Sequence, residues 1–203
     1  MQDIEKRTLP GQLCELRSSE GGAAQPTTIY GYGAVFNTRS APIMGLFVEE
    51  IAPGAFDDVL GDDVRALFNH DPNFVLGRTR SNTLQLTIDT RGLAYTVTPP
   101  DTQTVRDLVL APMARGDING SSFRFIVASD GDEWRQEGEL VVRRIHRFRS
   151  LIDVSPVTYP AYDESPSAQR SLEAWRQARE EKAHIAAVTQ RRARERILDL
   201  INI

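Results

Sequence analysis

Between Gly11 and Thr158 the apolar residues fall in short runs closed by turn-forming residues, and several runs alternate strictly with polar ones. Leu84, Leu86 and Ile88 alternate, the turn Asp89-Thr90-Arg91-Gly92 follows, and Leu93, Tyr95 and Val97 alternate again. A period of two is a strand's period, because successive side chains leave opposite faces of a sheet. The pattern therefore predicts a β-hairpin. By the same reading, strands are expected near 11–17 and 27–36, flanking a turn at Ser18–Gly22, and at Val64–Phe68. Further strands are expected at Ser122–Val127, Leu140–Phe148 and Leu151–Thr158. A short helix is expected near 54–60. Another should run from a cap at Asp101 or Thr102 to about Ala114, ended by Gly116. So many short strands with so few helices predict a mostly β (α+β) fold, a closed β-barrel of about seven strands decorated with short helices.

The pattern changes after the break Tyr159–Pro166. Ser171–Ile203 contains neither Gly nor Pro and is rich in Ala, Arg, Glu and Gln, which predicts helix. The expected division is a β domain over 1–165 and a linker with a helical C-terminal extension over 166–203. Charge divides there too. The extension holds eight basic and five acidic residues, and the body sixteen against twenty-three. A nucleic-acid binder needs a basic face to displace counterions, and an acidic body does not supply one.

No run approaches the roughly 18 apolar residues of a membrane span, and the opening residues carry no apolar signal segment. A lone cysteine, Cys14, excludes an intrachain disulfide. A protein of a reducing compartment, with no membrane or nucleic-acid partner, is expected. The three histidines and one cysteine have no zinc spacing, and no Gly-rich phosphate loop is present. No metal or cofactor is expected.

Three residues could carry chemistry. His70 stands where an apolar strand meets the loop Asn69-His70-Asp71-Pro72, a place from which an imidazole can face a cleft and accept a proton near neutrality. Its plain alternative is a surface loop histidine. Ser122 opens a strand after Asn119-Gly120-Ser121, although such a turn also has ordinary loop chemistry. A serine hydroxyl becomes a nucleophile only with a base in reach. Asp153 lies inside the apolar run Leu151-Ile152-Asp153-Val154. A buried carboxylate is costly unless paired, and orienting a histidine is one such pairing. Pointing outward to a nearby arginine is another. The order His, Ser, Asp matches neither the chymotrypsin, the subtilisin nor the α/β-hydrolase arrangement.

Seven segments, in order, then carry a resemblance. They are Gly31–Asn37, Glu50–Phe56, Leu67–Asp71 with Leu76–Thr79, Arg91-Gly92-Leu93, Gly120–Phe125, Arg144-Ile145 and Asp153–Tyr162. Over roughly 28–165 the chain resembles the prohead proteases of tailed bacteriophages, which are similar in fold to herpesvirus assemblins. The resemblance implies a closed barrel and a serine endopeptidase, with His70 as base, Ser122 as nucleophile and Asp153 as the third member. It departs from the family pattern at Arg124, usually Gly, and at Asp153, often Glu. Ser121 is a second candidate nucleophile, and His146 rivals Asp153 by analogy with the assemblins. Backbone amides around Arg143–Arg147 are candidate oxyanion donors. The implied substrates are the scaffolding segment of the major capsid protein, any separate scaffold, and the protease itself. The setting would be an assembling procapsid in a bacterial cytoplasm, and a homodimer is possible. The alternative is a catalytically silent protein of capsid assembly with the same fold.

Overall fold

The computed structural model describes residues 4–9, 13–17, 27–159 and 166–201. Twelve strands occur among them. These are β1 (Glu5–Leu9), β2 (Cys14–Arg17), β3 (Thr28–Val35), β4 (Val48–Ile51), β5 (Arg65–Phe68) and β6 (Asp71–Arg78), followed by β7 (Leu84–Ile88), β8 (Gly92–Val97), β9 (Gly120–Val127), β10 (Asp132–Glu137), β11 (Leu140–Ile145) and β12 (Phe148–Val157). They form a five-stranded sheet ordered β1-β9-β12-β5-β6, a three-stranded sheet β10-β11-β4 and a four-stranded sheet β2-β3-β8-β7. The pairs β12–β5 and β11–β4 are parallel and the rest antiparallel. The chain separates into two compact units, Met1–Ser165 and Pro166–Ile203. The second is the helix α3 (Pro166–Ile201).

The core follows from the alternation in β9. Phe123 and Phe125 turn inward and stack at 4.7 Å between ring centroids. Phe148 packs on Phe125 at 4.8 Å and on Phe56 at 4.5 Å, and all four rings are fully buried. The opposite face of β9 is thereby left to Ser122 and Arg124.

The mostly β architecture is as expected, but the closed barrel is not. A barrel needs a ladder that returns from the last strand to the first. The three sheets instead end at β1 and β6, β10 and β4, and β2 and β7, and no ladder joins these edges among the described residues. The sheets are open and mixed. The strands β2 and β4, each at the edge of its sheet, are four residues long. Where β3 runs toward β4, a single bridge between Phe36 and Ile51 remains. The sheets pack face to face: a Cβ on Gly33 would stand 3.2 Å from Val154 of β12.

Other expectations divide similarly. The helix expected near 54–60 is a chain of turns, each closed by a three-residue bond such as Asp57 N–H to Gly54 O. Gly54 at φ 85° starts it outside the helical region. The second helix forms as α1 (Gln103–Val105), a π-helical turn Arg106–Leu110 and α2 (Ala111–Arg115), with Thr102 accepting from Val105 N–H at the start and Gly116 in the left-handed region at the end. Pro112 has no N–H to give, and the ladder slips there to Ala111 N–H with Arg106 O. The turn expected at Ser18–Gly22 lies outside the described residues.

Four strands without an apolar period were not expected: β1, β4, β6 and β10. Three of them are joined by buried charge. Arg7 Nε donates to Glu49 Oε1 at 2.8 Å and Arg7 Nη2 to Glu5 Oε2 at 2.6 Å. Arg143 of β11 reaches Glu5 Oε2 at 2.8 Å, Glu49 Oε2 at 3.0 Å and Asp132 Oδ2 at 2.6 Å. Burial pushes the Glu5 carboxyl up, but Arg143 and then Arg7 overcome it and hold the group below its ordinary value. At Glu50, burial likewise raises the carboxyl, and Arg135 and Arg144 outweigh it and lower it.

These charges predict a stability profile. A carboxylate held low contributes stability that is complete above its unfolded value, near 4.3, and is lost as pH falls through its folded one. The thermal midpoint should therefore be level from about pH 7 to 5 and fall below about pH 4, as calorimetry can follow. Arg143→Met strands buried carboxylates without their cation and should cost about 3–5 kcal/mol in urea unfolding.

Candidate active site

The β5–β6 connection is a two-residue hairpin turn. Phe68 pairs with Asp71, and the intervening Asn69 and His70 have φ of 54° and 59°. Both residues positive is the type I′ signature, matched to the twist of the strands. Asparagine tolerates it. For histidine it is a costly conformation, of order 1–3 kcal/mol, which surrounding contacts must hold. Asn69 N–H donates to Pro156 O at 3.0 Å and Asn69 Oδ1 accepts from Thr158 N–H at 2.9 Å. Pro72 is admissible in β6 because that strand is a sheet edge.

The β9–β12 ladder supplies the rest. Ser122 pairs with Ser155 and Arg124 with Asp153, so four polar side chains share one face. His70 lies against that face. Its Nδ1 is 2.5 Å from Asp153 Oδ1, and its Nε2 is 2.7 Å from Ser122 Oγ. With Asp153 receiving the Nδ1 proton, Nε2 is left as the acceptor. Ser155 Oγ lies 3.1 Å from both Nδ1 and Asp153 Oδ1. Arg124 Nε donates to Asp153 Oδ2 at 2.5 Å. Ser122 is fully buried; its Oγ can also donate to Arg7 O at 2.8 Å and accepts from Thr8 Oγ1 at 3.3 Å. Beside His70 lies a cleft of about 250 Å³ lined by Lys6, Thr8, Asn69, Val157, Thr158 and Tyr159.

The three residues singled out in the sequence are thus together, with His70 in hydrogen-bond reach of both Ser122 and Asp153. Such a set can move a proton from a hydroxyl to an imidazole steadied by a carboxylate. A model of the caudovirus prohead serine protease family matches residues 12–178. The chain belongs to that family. It is a family of serine peptidases of phage capsid maturation, which act inside procapsids on capsid proteins. No curated protein and no solved structure matches the chain. The strand β1, whose Arg7 and Thr8 touch Ser122, precedes the matched span.

The remaining candidates are placed elsewhere. Ser121 faces away from His70, with its Oγ 3.0 Å from the buried Tyr95 hydroxyl. Only glycine fits at 31, because a Cβ there would lie 2.5 Å from that Tyr95 oxygen. Cys14 is 3.5 Å from the same oxygen, and burial pushes its thiol up to about 12, so it is not a thiolate near neutrality. His146, read as a strand residue, stands between β11 and β12, its Nε2 2.9 Å from Asp130 O, and no hydrogen bond joins it to His70. The amide candidates for an oxyanion are committed too. His146 N–H and Arg147 N–H both donate to Gly131 O, at 2.8 and 3.0 Å. Arg144 pairs with Glu50 at 2.6 Å. Among the described residues no group of three or more His, Cys, Asp or Glu is placed to hold a metal, and no helix is long and apolar enough to cross a membrane.

Sequence reading missed Ser155 and Thr8. The signal for Ser155 was present: it follows Asp153 by two residues in the same strand, hence on the same face. Ser121→Ala is expected to lower stability by about 0.5–1.5 kcal/mol, by leaving the Tyr95 hydroxyl with the Cys14 sulfur as its remaining partner. The His70 ring resonances should stay unmoved in NMR spectra.

Proposed function

We propose that the chain is the serine endopeptidase of procapsid maturation in its phage, with Ser122 as nucleophile, His70 as base and Asp153 as the group that orients the imidazole. The observation that carries this reading is the pair of contacts on one ring, Nε2 to Ser122 Oγ at 2.7 Å and Nδ1 to Asp153 Oδ1 at 2.5 Å. Ser122 Oγ attacks the scissile carbonyl carbon while Nε2 takes its proton. The tetrahedral intermediate collapses as His70 returns that proton to the leaving amine, the C–N bond breaks, and an acyl-enzyme remains. A water molecule, deprotonated by the same nitrogen, hydrolyses it. Asp153 stabilises the imidazolium that forms between the two transfers. The cleft beside His70 is where an extended substrate segment would lie. The substrates are the scaffolding segment of the major capsid protein, any separate scaffold, and the protease itself.

One feature favours a second reading, a catalytically silent assembly protein. Ser122 is covered, and its hydroxyl has Arg7 O as a competing acceptor at 2.8 Å. The active reading requires Thr8 and its neighbours in β1 to move aside when substrate arrives.

Co-expression with the major capsid protein of the same genome separates the two. The capsid protein should shorten on a gel with the native chain. With Ser122→Ala or His70→Ala it should keep its length, the rate loss being on the order of 10⁶. A capsid protein of full length beside the native chain overturns the active reading, and so does cleavage by Ser122→Ala.

A further inference from the structure

Arg124 reaches the site from the strand that carries Ser122, two residues on and from the same face. Its side chain is 30% exposed. Besides the Nε bond to Asp153 Oδ2 at 2.5 Å, its Nη2 donates to the backbone oxygen of His70 at 3.1 Å. One guanidinium therefore holds both supports of the imidazole, the carboxylate that receives Nδ1 and the backbone of the residue that bears the ring.

The division of labour on Asp153 is complete. Oδ1 faces His70 and Ser155, and Oδ2 faces Arg124. With Oδ2 unheld, the carboxylate would turn about its last torsion, a broad and soft one, and Oδ1 would leave the line to Nδ1. The His70 turn needs a clamp as well, because both its residues are left-handed. Asn69 is tied to Pro156 and Thr158. For the carbonyl of His70 the tie is Arg124. The planar fork of a guanidinium suits such two-point holding, and an ammonium does not.

We propose that Arg124 is a positioning residue: it locks Asp153 and the His70 turn into one unit. The catalytic part of this inference rests on the reading of Ser122 and His70 as nucleophile and base. The groups facing His70 are Asp153 and Ser155 from β12, Arg124 and Ser122 from β9, and Lys6 and Thr8 of β1 across the cleft. On its own hairpin, Asp71 Oδ1 is engaged by Asn73. Among these, Arg124 is the group that holds both Asp153 and the backbone of His70. Without Arg124 both supports of the ring loosen at once, and Nδ1 loses its line to Asp153.

The test uses the full chain with the Arg124→Met and Arg124→Lys variants, checked for folding by circular dichroism. Two readouts are taken: cleavage of the major capsid protein, and the downfield His70 Nδ1–H resonance in NMR spectra of histidine-labelled protein. For Arg124→Met, kcat/KM should fall about 10- to 100-fold, carried by kcat, and the Nδ1–H resonance should move upfield as its bond to Asp153 is lost. For Arg124→Lys, rate and resonance should be only partly restored, because charge is restored and the fork is not. An unmoved resonance in Arg124→Met overturns the proposal, and so does native kcat/KM in that variant. If Arg124→Met does not fold, native rate and resonance in Arg124→Lys overturn the two-point clamp. If the native chain cleaves nothing, the protease reading fails, and the His70 resonance still decides whether Arg124 holds the His70–Asp153 pair.

Discussion

The ladder between β9 and β12 determines almost everything the site can do. Antiparallel pairing sets Ser122 opposite Ser155 and Arg124 opposite Asp153. Pleating then sends these side chains to one face and Phe123 and Phe125 to the other. A single geometric rule thus separates a polar, hydrogen-bonded surface from an aromatic core within one strand. The stacked rings keep β9 from rocking, and the oxygens and nitrogens above it inherit that rigidity. A slip by one residue would bury the hydroxyl with the rings and expose the phenylalanines.

Buried charge does the same for the elements around it. Glu5, Arg7, Glu49 and Arg143 are nearly inaccessible, and they tie β1 to β4 and β11. Desolvating such groups is expensive, and apolar substitutes of equal size often stabilise a protein as well. What the ion pairs add is direction. Each carboxylate accepts from two arginines on different strands, an arrangement satisfied in one register only. Because β1 also touches Ser122, the charge cluster and the site share a strand.

How much of this was legible depended on the kind of signal. The hairpin of β7 and β8 and the inward phenylalanines of β9 declared themselves by alternation. The strands β1, β4 and β10 did not, because charged residues such as Glu5, Arg7, Glu49 and Asp132 interrupt any apolar period and find their partners only across the sheets. Pro72 concealed β6, whose edge position makes a proline harmless. Alternation reports which face is inside and says nothing of which strand is next to which, so the sheets' open edges were beyond its reach and a closed barrel was expected in their place. For the site, His70, Ser122 and Asp153 were each readable from position and residue type. Ser155 was readable by its spacing from Asp153. The contacts of Thr8 and Arg124 required the assembled sheet.

The turn that carries His70 has only two residues. In an ordinary surface loop, length is the most freely varied property, since a longer excursion costs little entropy. Here the two-residue turn itself has no slack, the irregularity of the hairpin being taken up beyond it, where β6 bulges between the Phe68–Asp71 and Leu67–Val75 pairs. An inserted residue would not lengthen an arm; it would rotate the ring out of reach of both its partners. This hairpin should therefore behave in evolution like a core segment, tolerant of changes in composition and intolerant of changes in length, although it lies at the edge of a sheet.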